Sequence, residues 1–400
     1  METSDDKNRT VVSLFSGCGG MDLGAEKAGF EVVFAADSDP VAVLSYRENL
    51  GSVIQERDLT ESFASLLPEN VDLLIGGPPC QGFSSAGPKD PDDLRNKLWR
   101  RYLEAVSHAL PKVFILENVP GFQKAVPSFV DALSSDTDAA YWIESKRLVT
   151  QFYGVPQFRH RTIVVGIRRD VAHHVPWPSP DLTEHHDYTR NDAGLISMKT
   201  ALEDLGPAEK WSQETQPDNR DHVFLALSHR ESEIAVHIPN GGSLKDIPDQ
   251  HLPEPYTGRD RIGTRGWQWY FRKPRPHLPG RTVMASVRPN YATILAPDGW
   301  TRKRDGQWEW DPVPTADFTT DDGYYTSPIS PRRLTIRECA RLQTFPDSFE
   351  FHGKMLDKYR QIGNAVPVEF SRRLCEAVRL TLDGEWTPGT PHDGQLRLPL

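Results

Sequence analysis

Cysteine is scarce in this chain. Its four cysteines, Cys18, Cys80, Cys339 and Cys375, lie far apart and form no Cys-x-x-Cys pair. That excludes a disulfide framework and a zinc-ribbon site, and it fits a reducing cytoplasm. Long apolar runs are missing too: no stretch approaches the roughly 20 residues of a membrane span. The first ten residues are polar and charged, so neither anchor nor secretory signal is expected. There is no overall basic excess. With 46 Lys and Arg against 56 Asp and Glu the net charge is −10, which argues against a protein that coats nucleic acid indiscriminately. A dinucleotide fingerprint is incomplete, because Asp22 stands where a third glycine would follow Gly17 and Gly19, and this disfavours a nicotinamide cofactor. Histidines cluster with prolines between 173 and 186, but their spacing is irregular and few acids accompany them, so no metal site is expected.

What is present in the first 170 residues is an alternation of short apolar runs and amphipathic stretches. Strands are expected at 11–15, 31–36, 71–75, 113–116, 141–149 and 162–167, with helices at 21–28, 40–49, 94–109 and 125–133. Strands separated by helices of this length imply an α/β fold, a doubly wound, Rossmann-like parallel sheet with helices on both faces. The composition shifts near 175. A first domain over 1–175 is therefore expected, followed by a smaller, irregular second domain over 176–353. Two closing helices are expected at 335–343 and 368–380, and the segment 354–383 completes the first domain. The proline-rich tail 384–400 reads as disordered. Charge is uneven: between 256 and 305 eleven lysines and arginines face three acids, a basic island on an acidic body that suits one polyanion-binding face.

The chemistry-bearing residues fall at strand ends. The run 71–75 ends in Gly76-Gly77-Pro78-Pro79 and then Cys80, so the cysteine is presented at the sheet's carboxyl edge like an exposed nucleophile. The first strand runs into Phe15-Ser16-Gly17-Cys18-Gly19-Gly20, glycines that let a backbone turn approach a ligand beside a helix N-terminus. Asp37 ends the second strand, placed to grip a ribose, and Asp58 follows a third, shorter extended stretch, within reach of an adenine amino group. A nucleoside without a pyrophosphate fits these features, and S-adenosylmethionine is the candidate. Glu117-Asn118-Val119 ends another strand, where such folds place catalytic groups. In Gln157-Phe158-Arg159-His160-Arg161, alternation puts Gln157, Arg159 and Arg161 on one face.

Together these motifs resemble the DNA (cytosine-5)-methyltransferases of bacterial restriction-modification systems, in the usual order and over nearly the whole chain. The segment from Arg333 to Pro346 is similar to the family's scaffold motif, and Gly363-Asn364-Ala365-Val366 to its final motif. Two departures stand out: Ser38 replaces a bulkier apolar residue beside the ribose acid, and Ala365 a common serine. The resemblance implies a methyltransferase-type sheet and transfer of a methyl group from S-adenosylmethionine to C5 of a flipped cytosine in duplex DNA. Cys80 would attack C6, Glu117 would bond N3 and the exocyclic amine, and Arg161 would contact the base carbonyl, with Arg159 supporting Glu117 or a phosphate. It implies cofactor contacts at Phe15, Gly17, Cys18, Gly20, Asp37, Asp58, Pro78, Leu98, Asn364 and Val366. DNA contacts are expected from Gln81, Ser84, Ser85 and Arg95 in a closing loop, and from Arg259, Arg261, Arg265, Arg281 and Arg288 in a target-recognition domain. A monomer is expected, associated with the nucleoid through DNA and paired with a restriction endonuclease. The alternatives are a tRNA cytosine-5 methyltransferase and a catalytically inactive DNA-binding regulator.

Overall fold

The computed structural model describes residues 9–79, 98–136, 141–180, 195–206, 208–210, 221–224, 227, 235, 238, 242–243, 247, 272–275, 277–285, 294–295, 300–302, 308–310 and 332–385. Within them the six expected strands form one seven-stranded sheet, joined by a short seventh. In chain order these are β1 (Arg9–Leu14), β2 (Phe30–Asp37), β3 (Ile54–Glu56), β4 (Leu73–Gly76), β5 (Val113–Asn118), β6 (Tyr141–Val149) and, after the two-residue β7 (Gln157–Phe158), β8 (His160–Arg168). The sheet order is β3-β2-β1-β4-β5-β8-β6. The first five strands in that order pair parallel.

One strand departs from the expected parallel sheet. β8 runs antiparallel to both β5 and β6. The link from β6 to β8 is ten residues of 3-10 turn and β7, too short for a helical crossover, so the chain doubles back instead. The reversal has a functional consequence: it brings the start of β8, with Arg161, to the same sheet edge as the end of β5, with Glu117.

Helices cover both faces, as expected of strands that read as continuous apolar runs. On one face lie α1 (Gly20–Lys27), α2 (Pro40–Leu50) and the last helix, here α8 (Val368–Leu382), packed on Val11, Leu73, Ile115 and Ile163. On the other lie α3 (Leu98–Ala109) and α4 (Val126–Asp136), packed on Val12, Leu74, Phe114 and Val164. Helix α2 begins where its sequence says it should: the Asp39 side chain caps the N–H groups of Val41 and Ala42, and Pro40 occupies the first turn. A third cluster joins Met198 and Leu202 of α5 (Met198–Leu202) and Val283 to α6 (Ile336–Leu342) and α7 (Met355–Asn364). Helix α7 was not expected from the sequence. Among the described residues no helix is long and apolar enough to cross a membrane.

Candidate active site

The glycine turn after β1 is held from below. Phe15 and Gly17 both adopt left-handed backbone, at φ 57° and 56°, and Ser16 N–H donates to the Ala36 carbonyl at 3.1 Å. Both carboxylate oxygens of Asp37 accept backbone N–H groups, Oδ2 from Gly17 and Oδ1 from Asp39, each at 2.8 Å. Burial raises its pKa and these donors offset part of the rise. Asp37 thus sets the turn's shape, and each oxygen keeps a lone pair for a ligand hydroxyl. Gly17 faces empty space, with no atom within 4 Å of where a Cβ would stand. Gly20 does not: its Cβ would lie 2.5 Å from the Val366 carbonyl oxygen. The final motif therefore does return to the glycine turn, and the turn leaves a cradle over Gly17 of the kind a small ligand fills.

Cys18 and Asp58, both expected at the cofactor, differ in burial. Cys18 is buried in the third cluster, its Sγ 3.9 Å from the Gln361 carbonyl, and burial pushes its thiol pKa up. Its side chain packs the core rather than facing the cradle. Asp58 is exposed beyond β3, where its carboxylate accepts the Thr60 N–H at 2.8 Å and is held below its usual pKa by that bond. Leu98 is buried at the start of α3, Val366 is buried, and Asn364 is exposed at the end of α7.

At the sheet's carboxyl edge, β4 leads through a buried Pro78 to Pro79. Cys80 itself, with Gln81, Ser84, Ser85 and Arg95, lies outside the described residues. The strand beside it is tied to this turn: Asn118 Nδ2 donates to the Pro78 carbonyl at 2.9 Å, in a buried bond. The sequence pointed to Glu117 and passed over this role of Asn118, because an amide bonding across strands has no local signature. Glu117, only 8% exposed, has Oε1 2.6 Å from Arg161 Nε. That contact is an ion pair without hydrogen-bond alignment, since Oε1 has no aligned donor. The other oxygen points over Gly77, 3.5 Å from where its Cβ would be. A carboxylate, a guanidinium and the approach to a cysteine thus meet within one pocket edge.

Arg159 makes its hydrogen bonds away from Glu117, although it feels that carboxylate's charge. Its buried guanidinium donates to the carbonyls of Gly363 (3.1 Å from both Nη1 and Nη2), Ala365 (3.0 Å) and Val283 (3.4 Å). Burial, and then the charge of Arg161, push its pKa down, and the charge of Glu117 offsets part of the fall. Residue 159 is the joint between β7 and β8. Gln157 is on the Arg159 side: it donates to Leu342 O (2.9 Å) and Gln343 Oε1 (3.0 Å) and accepts the Val283 N–H (2.8 Å). Gln343, part of the scaffold segment from Arg333 to Pro346, donates in turn to Ile362 O (2.6 Å) and Ala365 O (3.1 Å). The paired-arginine motif therefore divides, one arginine into the site and one into the scaffold beneath the final motif.

Of the expected DNA contacts, Arg259, Arg261, Arg265 and Arg288 lie outside the described residues. Arg281 is on a two-residue strand, Gly280–Arg281, that pairs parallel with β7. The adjacent Thr282 hydroxyl donates to the Phe158 carbonyl at 2.5 Å. The segment Gly280–Thr282 is thereby fastened to the strand that leads to Arg161.

A family model described as C-5 cytosine-specific DNA methylase matches residues 9–379. The type II methyltransferase M.NgoFVII of Neisseria gonorrhoeae is 31% identical over 387 residues, covering 94% of this chain and 88% of that protein. M.MthTI of Methanothermobacter thermautotrophicus, also named a type II methyltransferase, is 31% identical over 381 residues, covering 94% of this chain and 99% of that protein. The fold is shared with the crystal structure of the S. pombe Dnmt2 methyltransferase, at a TM-score of 0.58 and 17% identity, covering 94% of this chain and 99% of that one.

Proposed function

From the premise that this chain belongs to the C-5 cytosine-specific DNA methylase family, we propose that its chemistry is carried by Cys80, Glu117 and Arg161, at the carboxyl ends of β4 and β5 and the start of β8. It is a DNA cytosine-5-methyltransferase that uses S-adenosylmethionine. The observation that carries the assignment is the Glu117–Arg161 pair, 2.6 Å apart, on the strand whose Asn118 anchors the turn leading to Cys80.

Cytosine C5 is a poor nucleophile. The Cys80 thiolate forms a bond to C6, and the electron pair of the C5–C6 double bond moves to C5. Glu117, bonded to N3 and the exocyclic amine, favours protonation of N3 as charge develops, and Arg161 stabilises charge at the base carbonyl. The activated methyl that C5 accepts is what S-adenosylmethionine supplies when bound. A base then takes the C5 proton, its electron pair re-forms the double bond, and Cys80 leaves as thiolate. The cradle over Gly17 suits that cofactor, which Phe15, Gly20, Asp37, Asp58, Pro78, Leu98, Asn364 and Val366 would hold. The target base must be extruded from the duplex to reach Cys80.

The reading extends to organisation. Residues 1–175 with 354–383 form the catalytic unit, and 176–353 the target-recognition unit, whose basic island grips phosphate and reads bases. The protein acts as a monomer on duplex DNA, associates with the nucleoid, and protects sites from a partner endonuclease.

Transfer of labelled methyl groups to duplex DNA and to tRNA tests the proposal, together with bisulfite mapping of DNA from cells expressing the protein. Methylation of duplex cytosine at one sequence is expected. Methylation of tRNA alone, or DNA binding without transfer, would overturn it.

A further inference from the structure

One buried carboxyl beneath the glycine turn has no part in the mechanism above. Asp22 lies in the first turn of α1 and is fully buried. Its Oδ1 accepts the Tyr46 hydroxyl at 3.0 Å, while Oδ2 is buried with no hydrogen-bond partner of good geometry. Ser13, at the end of β1, lies beside it, and the Ser13 hydroxyl accepts that of Ser16 at 2.9 Å. Tyr46 is completely buried too, and its ring floors the turn: its Cδ2 lies 2.9 Å from where a Cβ on Gly19 would stand. Asp22 thus holds the aromatic ring under Gly19, two residues from the cradle at Gly17, and adjoins the serine pair under Ser16.

Such a group is costly to keep. A buried carboxylate pays a desolvation penalty that the Ser13 and Tyr46 hydroxyls recover only in part. An apolar residue would avoid that cost, and a carboxylate here makes sense if the turn needs it.

We propose that Asp22 is a positioning residue for the cofactor, fixing the glycine turn through Tyr46 and the Ser13–Ser16 pair in its charged form. This rests on the reading of the turn as the S-adenosylmethionine site. Burial pushes the Asp22 carboxyl up to about 7, and the hydroxyls of Ser13 and Tyr46 hold it from rising further. The titratable groups that face it are Glu26 on its own helix, Tyr46 on α2, and Cys18 and Cys375, whose thiols feel its charge. None of these carries a positive charge. Cofactor affinity should therefore fall as pH drops through about 7 and Asp22 takes up a proton.

The stability effect has the opposite sign. A carboxyl whose folded pKa lies above its unfolded value favours folding below the unfolded pKa, and that contribution is lost as pH rises through the folded value. Asp22→Asn removes the charge and should keep or raise the melting temperature at pH 8.

The test is equilibrium binding of S-adenosylmethionine by the full chain between pH 6 and 8.5, for the wild type, Asp22→Asn and Tyr46→Phe, with melting temperatures and DNA affinity measured alongside. Expected for Asp22→Asn are cofactor binding about tenfold weaker at pH 8, loss of the pH dependence near 7, unchanged DNA affinity without cofactor and undiminished melting temperature. Tyr46→Phe should weaken cofactor binding in the same direction. Asp22→Asn with wild-type cofactor affinity and the same pH dependence would overturn the proposal. So would a loss of affinity matched by a loss of melting temperature, which marks a merely structural group. Wild-type protein that binds no S-adenosylmethionine at any pH would instead overturn the reading of the site.

Discussion

The paired-arginine motif holds two residues of one type, two positions apart, in different physical situations. Arg161 is partly exposed and faces a carboxylate, whereas Arg159 is buried among backbone carbonyls. Their substitutions should separate. Arg161→Ala is expected to lower kcat with little change in melting temperature. Arg159→Ala removes the donor to the Gly363 and Val283 carbonyls, leaves the Ala365 carbonyl to Gln343 alone, and should destabilise the fold by about 3 kcal/mol or more, measured by denaturant unfolding. Glu117→Gln keeps the shape but loses the charge. It should reduce the chemical step by roughly two to four orders of magnitude while leaving DNA affinity nearly intact. Weaker DNA binding as the only defect would contradict that role. Cys80→Ala should abolish transfer, and DNA containing 5-fluorocytosine should trap the wild-type enzyme covalently, because fluorine cannot leave as a proton does.

At the scale of the element, glycines that look alike in the sequence do different work. Gly17→Ala meets no neighbouring atom, and the left-handed backbone makes it cost about 1–2 kcal/mol. The new methyl would stand in the cradle, so the larger effect should be on cofactor binding. Gly20→Ala drives a methyl against the Val366 carbonyl, and the larger effect should be a loss of stability, typically of 1–3 kcal/mol, seen as a lower melting temperature. Calorimetry beside cofactor titration distinguishes the two. Helix α6 carries a capping box from Thr335 and Glu338, and Glu338 is also held by Arg332 at 2.7 and 2.8 Å. Burial alone would raise the Glu338 carboxyl, but Arg332 and the Thr335 N–H outweigh it and lower the pKa. Its stabilising contribution is therefore present above its unfolded pKa and lost as pH falls through the folded value. Glu338→Gln should flatten the acid limb of an unfolding curve recorded between pH 3 and 7.

For the whole molecule, the contrast between a basic island and an acidic body makes a prediction about salt. Each phosphate-gripping arginine neutralised between 256 and 305 should reduce the salt slope of DNA affinity by about 1. Loss of a base-reading arginine should instead cost roughly 1–3 kcal/mol at one position of the site. Transplanting 176–353 into a related enzyme of different specificity should transfer the target sequence. Active chimeras that keep the recipient's target would count against that division of the chain.

Strand and helix order were legible in the sequence because buried parallel strands are continuous apolar runs and the helices between them carry one apolar face. So were the candidate groups, Glu117 at a strand end and the glycine turn, because strand ends and glycine-rich turns have local signatures. The direction of β8 was not legible, since it depends on what ten residues can span between strands. Nor was the division of Arg159 from Arg161, or the ties from Gln343 to Ala365, Asn118 to Pro78 and Tyr46 to Asp22. These ties join residues 22 to 40 positions apart, and Arg159 reaches the Ala365 carbonyl across 206. The residues themselves specify donors and acceptors, but a buried polar atom finds its partner only when the fold has excluded water and fixed what lies within reach.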